Sequence, residues 1–149
     1  MERTIAAGLF ERSKVNTPLD LPDKDRHFIY REYIHKLLHL NYTRLPFWLD
    51  EGLAEFFGNT LMHTDGVYVG AISPHIRVLQ LKTLYPLQTI FSTTPTSPYF
   101  QDWDKIQMFY GESWGLTHFL MFGENMGNGQ KMNAYLDALQ KGADAQKAF

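Results

Sequence analysis

The sequence contains no cysteine. That absence excludes disulfides, thiol catalysis and thiolate metal sites, so any metal would have to be held by His, Asp or Glu. No run of about eighteen apolar residues occurs, so nothing in the chain reads as a membrane span. Met1 to Phe10 carries Glu2 and Arg3 ahead of a short apolar stretch, too weak a pattern for a signal peptide. A G-x-S-x-G elbow is also missing, which removes the common serine-hydrolase signature. Neither sign of charge dominates, since 14 Lys and Arg face 16 Asp and Glu for a net charge of −2. The basic residues form no run, so composition argues against a nucleic-acid partner.

What is present suits one domain: 149 residues, 44% apolar and 15% aromatic, are enough to bury a core. The closing Lys147-Ala148-Phe149 still reads as helix, so the expectation is a single domain over 1–149, excised from a longer and exported protein. Localisation stays open.

Ile5 to Phe10 reads as an edge strand and Lys14 to Asp23, with Pro18 and Pro22, as a loop. A first helix is expected from Lys24 to Asn41, capped by Asp23 or Asp25. On its wheel Tyr30, Tyr33, Ile34, Leu37 and Leu38 form an apolar arc for the core, whereas Phe28, Arg31, Glu32, His35 and His39 cluster on a different arc that presents chemistry. Thr43 is placed to cap a second helix from Pro46 to Phe57. Leu61 to Ala71, broken by Thr64-Asp65-Gly66, reads as a hairpin. A short helix from Pro74 to Leu84 precedes a Ser, Thr and Pro-rich loop from Ser92 to Pro98. A long helix from Asp104 to Phe122 carries Tyr110, Trp114, Thr117, His118 and Met121 on one stripe, and a last helix spans Gln130 to Lys141. The expected class is α+β with helices dominating and a small edge sheet or hairpin.

One helical segment carries chemistry. Arg31-Glu32-Tyr33-Ile34-His35 differs from the zinc-peptidase pattern H-E-x-x-H at its first position only. That pattern sets two imidazoles at i and i+4 on one helical face, with the Glu beside them positioned to deprotonate a metal-bound water. Arginine, a permanent cation without a free lone pair, cannot serve as a ligand. Trp48-Leu49-Asp50-Glu51-Gly52-Leu53-Ala54-Glu55-Phe56-Phe57 follows, with Glu51 sixteen positions beyond His35. A third block is Phe109-Tyr110-Gly111-Glu112-Ser113-Trp114-Gly115-Leu116-Thr117-His118-Phe119-Leu120.

In these three ordered blocks, from Arg26 to Phe122, the chain resembles the peptidase MA-like group of gluzincin zinc metallopeptidases. The resemblance is to bacterial domains of unknown function with H-E-Y-x-H, W-L-x-E-G-L-A-E-F and F-Y-x-x-S-W-x-L-x-H-x-L. It implies a zincin-like fold, zinc as cofactor and peptide-bond hydrolysis by a metal-activated water. By motif position it implies Glu32 as general base, His35 and Glu51 as zinc ligands, and Arg31 where the first ligand belongs. Glu55 would orient a ligating imidazole through its carboxylate, and Tyr110 or His118 would stabilise the oxyanion.

The missing imidazole divides the expectation. Two remaining ligands and an added positive charge should hold zinc weakly or not at all. Arg31 would instead form a salt bridge to Glu51 or Glu32 and neutralise carboxylates the metal would have held. His39, one turn past His35, reads as a solvated or capping residue beside the site, with His35, His39 and Glu51 as a shifted metal set in second place. His27, His63 and His75 read as surface residues, and the Tyr110, Trp114 and Met121 stripe as core packing. The reading is therefore a metallopeptidase scaffold that is inactive as a pseudoenzyme. The alternatives kept beside it are a non-catalytic module that holds a peptide or protein in the same cleft, by strand addition, and a purely structural domain.

Overall fold

The computed structural model describes residues 23–149. Two long helices and a buried one between them organise the rest. Helix α1 is Asp23–Asn41, α2 is Phe47–Gly58, and α5, the longest, is Trp103–Phe122. Between α2 and α5 come strands β1 (Leu61–His63) and β2 (Gly66–Tyr68) and the short helices α3 (Ile76–Leu81) and α4 (Leu87–Ser92). A 3-10 turn, Pro98–Gln101, leads into α5, and α6 (Gln130–Gln140) and α7 (Ala145–Ala148) close the chain. The class is helix-dominated α+β, as the sequence pattern predicts. The edge strand expected at Ile5 to Phe10, and the loop ahead of Asp23, lie outside the described residues.

The core is centred on α2. Its sequence FWLDEGLAEFFG is apolar nearly all round, as a helix covered on every side should be. Trp48, Leu49, Leu53, Ala54 and Phe56 are all buried there. Gly52 allows a close approach of two helix backbones. A Cβ at that position would stand 2.5 Å from the Ser113 carbonyl oxygen and collide with the Thr117 hydroxyl, so α5 lies directly on the α2 backbone. Phe109, Met132, Leu136 and Leu139 belong to the same core.

One local expectation is corrected. Pro46, not Thr43, is the residue before α2, and no side chain caps that end. Proline's fixed φ starts the helix without a capping bond. The long helix α5 is capped by Asp102, whose Oδ1 accepts from the amides of Asp104 and Lys105 at 3.0 and 3.3 Å.

The hairpin forms as a two-stranded antiparallel sheet with Leu61 opposite Tyr68, Met62 opposite Val67 and His63 opposite Gly66. It is shorter than expected. Helix α4 occupies a stretch with no expected element, and α3 is trimmed at both ends of the expected Pro74 to Leu84.

The largest correction concerns α1. Tyr33 was expected on the core arc, yet it is 59% exposed, while Leu38 is buried and Ile34 packs against the core. Tyr33 projects about 100° away from Ile34 around the helix. The strip of α1 that meets α2 runs instead through His27, Arg31, Ile34, His35 and Leu38. That contact combines apolar packing with a polar seam.

Candidate functional site

The seam is built from an i, i+4 ladder on α1, namely His27, Arg31, His35 and His39, against Asp50, Glu51 and Glu55 of α2. The pairs run in opposite directions along the two helices, so α1 and α2 are antiparallel there. His39 Nε2 lies 2.9 Å from Asp50 Oδ2, and His35 Nδ1 lies 3.3 Å from Asp50 Oδ1. His35 Nε2 is 3.5 Å from Glu51 Oε2. Arg31 Nη2 donates to that same Glu51 oxygen. Its Nε donates to Glu55 Oε1 at 3.1 Å, and its Nη1 to Glu32 Oε1 at 3.0 Å. At the far end, His27 Nε2 donates to Glu55 Oε2 at 3.2 Å.

Two further elements complete the seam. His75, just before α3, approaches Glu55 Oε2 to 3.6 Å. Tyr110 of α5 lies under the guanidinium, with Arg31 Cζ 5.4 Å from its ring centre. A cation above an aromatic face in a partly desolvated setting is held by the ring quadrupole as well as by the carboxylates.

Burial explains why the pairs exist. Glu51 is 8% exposed and Glu55 only 3%. A buried carboxylate without a partner is severely destabilising, so a helix as enclosed as α2 needs a cation beside these two. Burial opposes the Arg31 charge, yet Glu51 and Glu55 more than offset this and raise its pKa. Burial likewise pushes the Glu55 carboxyl up, but the His27 hydrogen bond and the nearby His75 and Arg31 bring it below its ordinary value. Asp50 is also held low, hydrogen bonds from His35 and His39 outweighing its burial. Hydrogen bonds to Asp50 and then Glu51 raise His35 to about 9. His75 moves the other way, its pKa lowered chiefly by burial. Tyr110 is raised, first by burial and then by Glu51.

The Asp50 end of the seam opens onto a groove of ≈ 790 Å³, with Glu32, Lys36, Leu40, Phe47 and Pro95 on its walls. Glu32 is exposed and faces this groove while paired with Arg31. Of the residues singled out from sequence, Arg31, Glu32, His35, His39, Glu51, Glu55 and Tyr110 are brought into one cluster. His118 is not among them. Its ring sits 5.1 Å from Trp114, 5.3 Å from Phe122 and 6.0 Å from Phe56, two turns of α5 beyond Tyr110.

Three seam residues escaped the sequence reading. His27 and His75 were expected on the surface, and Asp50 was not singled out. His27 was legible, because it stands four residues before Arg31 and so shares its face. Asp50 is adjacent to Glu51, and its role depends on the angle at which α1 crosses α2. His75 had no local signal, since only the chain's return over Glu55 brings it there.

No family model, curated protein or solved structure matches the chain. Among the described residues, no helix is long and apolar enough to cross a membrane.

Proposed function

We propose that this chain is a zincin-like domain of the gluzincin type in which a guanidinium has replaced the metal, and that it holds peptide segments in its groove without cleaving them. The observation that carries the reading is the double pairing of Arg31. One side chain neutralises Glu51, the expected third ligand, and Glu55, the carboxylate expected to orient a ligand. A guanidinium that bridges two carboxylates in this way satisfies acids that would otherwise be stranded by loss of a metal.

Zinc, which the resemblance implies, does not fit at Arg31, His35 and Glu51. The Glu51 oxygen nearest His35 is already engaged by the guanidinium, and Arg31 has no lone pair to offer. Glu32 is correspondingly tied to Arg31 and left as an exposed acid on the groove wall. What remains is a recognition surface. Leu40, Phe47 and Pro95 provide apolar footing, and Glu32 and Lys36 provide charge of both signs, a combination suited to an extended peptide.

The test compares the parent with Arg31→His in zinc-containing buffer, using fluorogenic peptide mixtures and unfolded casein as substrates. The parent should show no turnover beyond that of its Glu32→Ala variant, and Arg31→His should gain turnover that depends on Glu32. Glu32-dependent hydrolysis by the parent would overturn the reading. Fluorescence anisotropy with labelled peptide libraries tests the binding half, with Phe47→Ala and Lys36→Glu expected to weaken capture. Parent and variants that capture no peptide would defeat it.

A further inference from the structure

One helical turn from Arg31, three side chains able to ligate a metal come together. We propose that His35, His39 and Asp50 form a site for one divalent transition-metal ion of the zinc, cobalt and nickel class, at the mouth of the groove. His35 and His39 are i and i+4 on α1, so both imidazoles emerge on one face. Asp50, from the adjoining turn of α2, comes between them.

The distances suit a shared ion. One ligand atom from each residue lies within 4.8 Å of the other two. His35 Nδ1 is 3.3 Å, and His39 Nε2 2.9 Å, from the two Asp50 oxygens. Two ligands each about 2.05 Å from one tetrahedral ion stand about 3.3 Å apart. Each imidazole nitrogen thus already stands from an Asp50 oxygen at about the spacing of two ligands on one ion. Two imidazoles and one carboxylate select a borderline cation over magnesium or calcium, which prefer all-oxygen shells.

The surroundings supply what such a site needs. While His35 Nδ1 faces Asp50, its Nε2 points to Glu51 at 3.5 Å. A carboxylate on the far nitrogen fixes the tautomer and ring angle of a ligating imidazole. Glu51 is itself held by Arg31, so it stands between that cation and the proposed ion and offsets their repulsion. His35 and Asp50 are each 15% exposed at the side chain, whereas His39 is 64% exposed. The fourth coordination position therefore faces the groove.

Chelator-treated protein without a polyhistidine tag is titrated with zinc chloride by calorimetry and with cobalt chloride by visible absorption. One equivalent should bind, and cobalt should develop the intense visible bands of a tetrahedral site. His39→Ala, checked to be folded by thermal unfolding without metal, should weaken binding by about 100-fold. Asp50→Asn should do the same, and Glu51→Gln should cost about 10-fold. Absence of binding at millimolar metal would overturn the proposal, as would affinity unchanged in His39→Ala. Binding lost in Glu51→Gln but kept in both His39→Ala and Asp50→Asn would also overturn it, by assigning the ion to other ligands.

Discussion

Arg31 Nε stands 3.1 Å from Glu55 Oε1 while the same guanidinium also donates to Glu51, so one cation serves both carboxylates of a buried helix. Truncating such a partner costs more than the pair contributes, because the acids remain behind. Arg31→Met should destabilise the fold by about 3–5 kcal/mol. Adding Glu51→Gln and Glu55→Gln to Arg31→Met should recover most of that loss. Denaturant unfolding of the two variants checks this, and a cost below about 1 kcal/mol for Arg31→Met would remove the pairing argument.

The imidazole of His35 predicts an alkaline weakening. Its folded pKa of about 9 lies above the ordinary 6.5, so protonation favours the folded state. That contribution is complete below pH 6.5, shrinks above it, and is gone once pH passes about 9. Glu55 and Asp50, held below their ordinary 4.5 and 3.8, act with the opposite sign. Their contribution is present at neutral pH and is lost as pH falls through the lowered values. Urea midpoints measured in chelator should decline on both sides, and His35→Gln should flatten the alkaline side and, by removing a hydrogen bond to Asp50, part of the acid side.

Gly52 is a packing prediction. A methyl group there meets the Ser113 carbonyl and the Thr117 hydroxyl on a neighbouring helix backbone that cannot easily retreat. Gly52→Ala should cost about 1–3 kcal/mol even though alanine is the better helix former. A stabilised variant, read by thermal unfolding, would mean that α2 and α5 separate more readily than their contact suggests.

Glu32 should behave differently from Glu51 and Glu55. It is half exposed and its pairing with Arg31 is open to solvent, so Glu32→Gln should shift stability by less than about 1 kcal/mol. If the groove recognises basic peptide groups, the same substitution should reduce peptide capture. Measuring both on one variant separates the surface role of Glu32 from a structural one.

Much of the helical frame was legible because its signals are local. The spacing of apolar residues and the Gly and Pro breaks set α1, α2, α5 and α6 within about two residues. Helix α4 escaped because six residues between Pro86 and Thr93 offer less than two turns of periodicity. Apolarity alone puts Tyr33 on the core face of α1, whereas the residue is exposed. The true contact face mixes Ile34 and Leu38 with His27, Arg31 and His35, and a polar seam gives no hydrophobic signal.

The sequence by itself determined that Arg31, His35 and His39 share one side of a helix, and that a guanidinium at position 31 cannot bind a metal. Both follow from 3.6-residue periodicity and from the chemistry of a guanidinium. Only the tertiary structure decided that Arg31 spans Glu51 and Glu55, that Asp50 rather than Glu51 lies between the two imidazoles, and that His118 packs among aromatic rings instead. Those outcomes depend on the register and crossing of α1 against α2, which interhelical packing sets and no local spacing encodes.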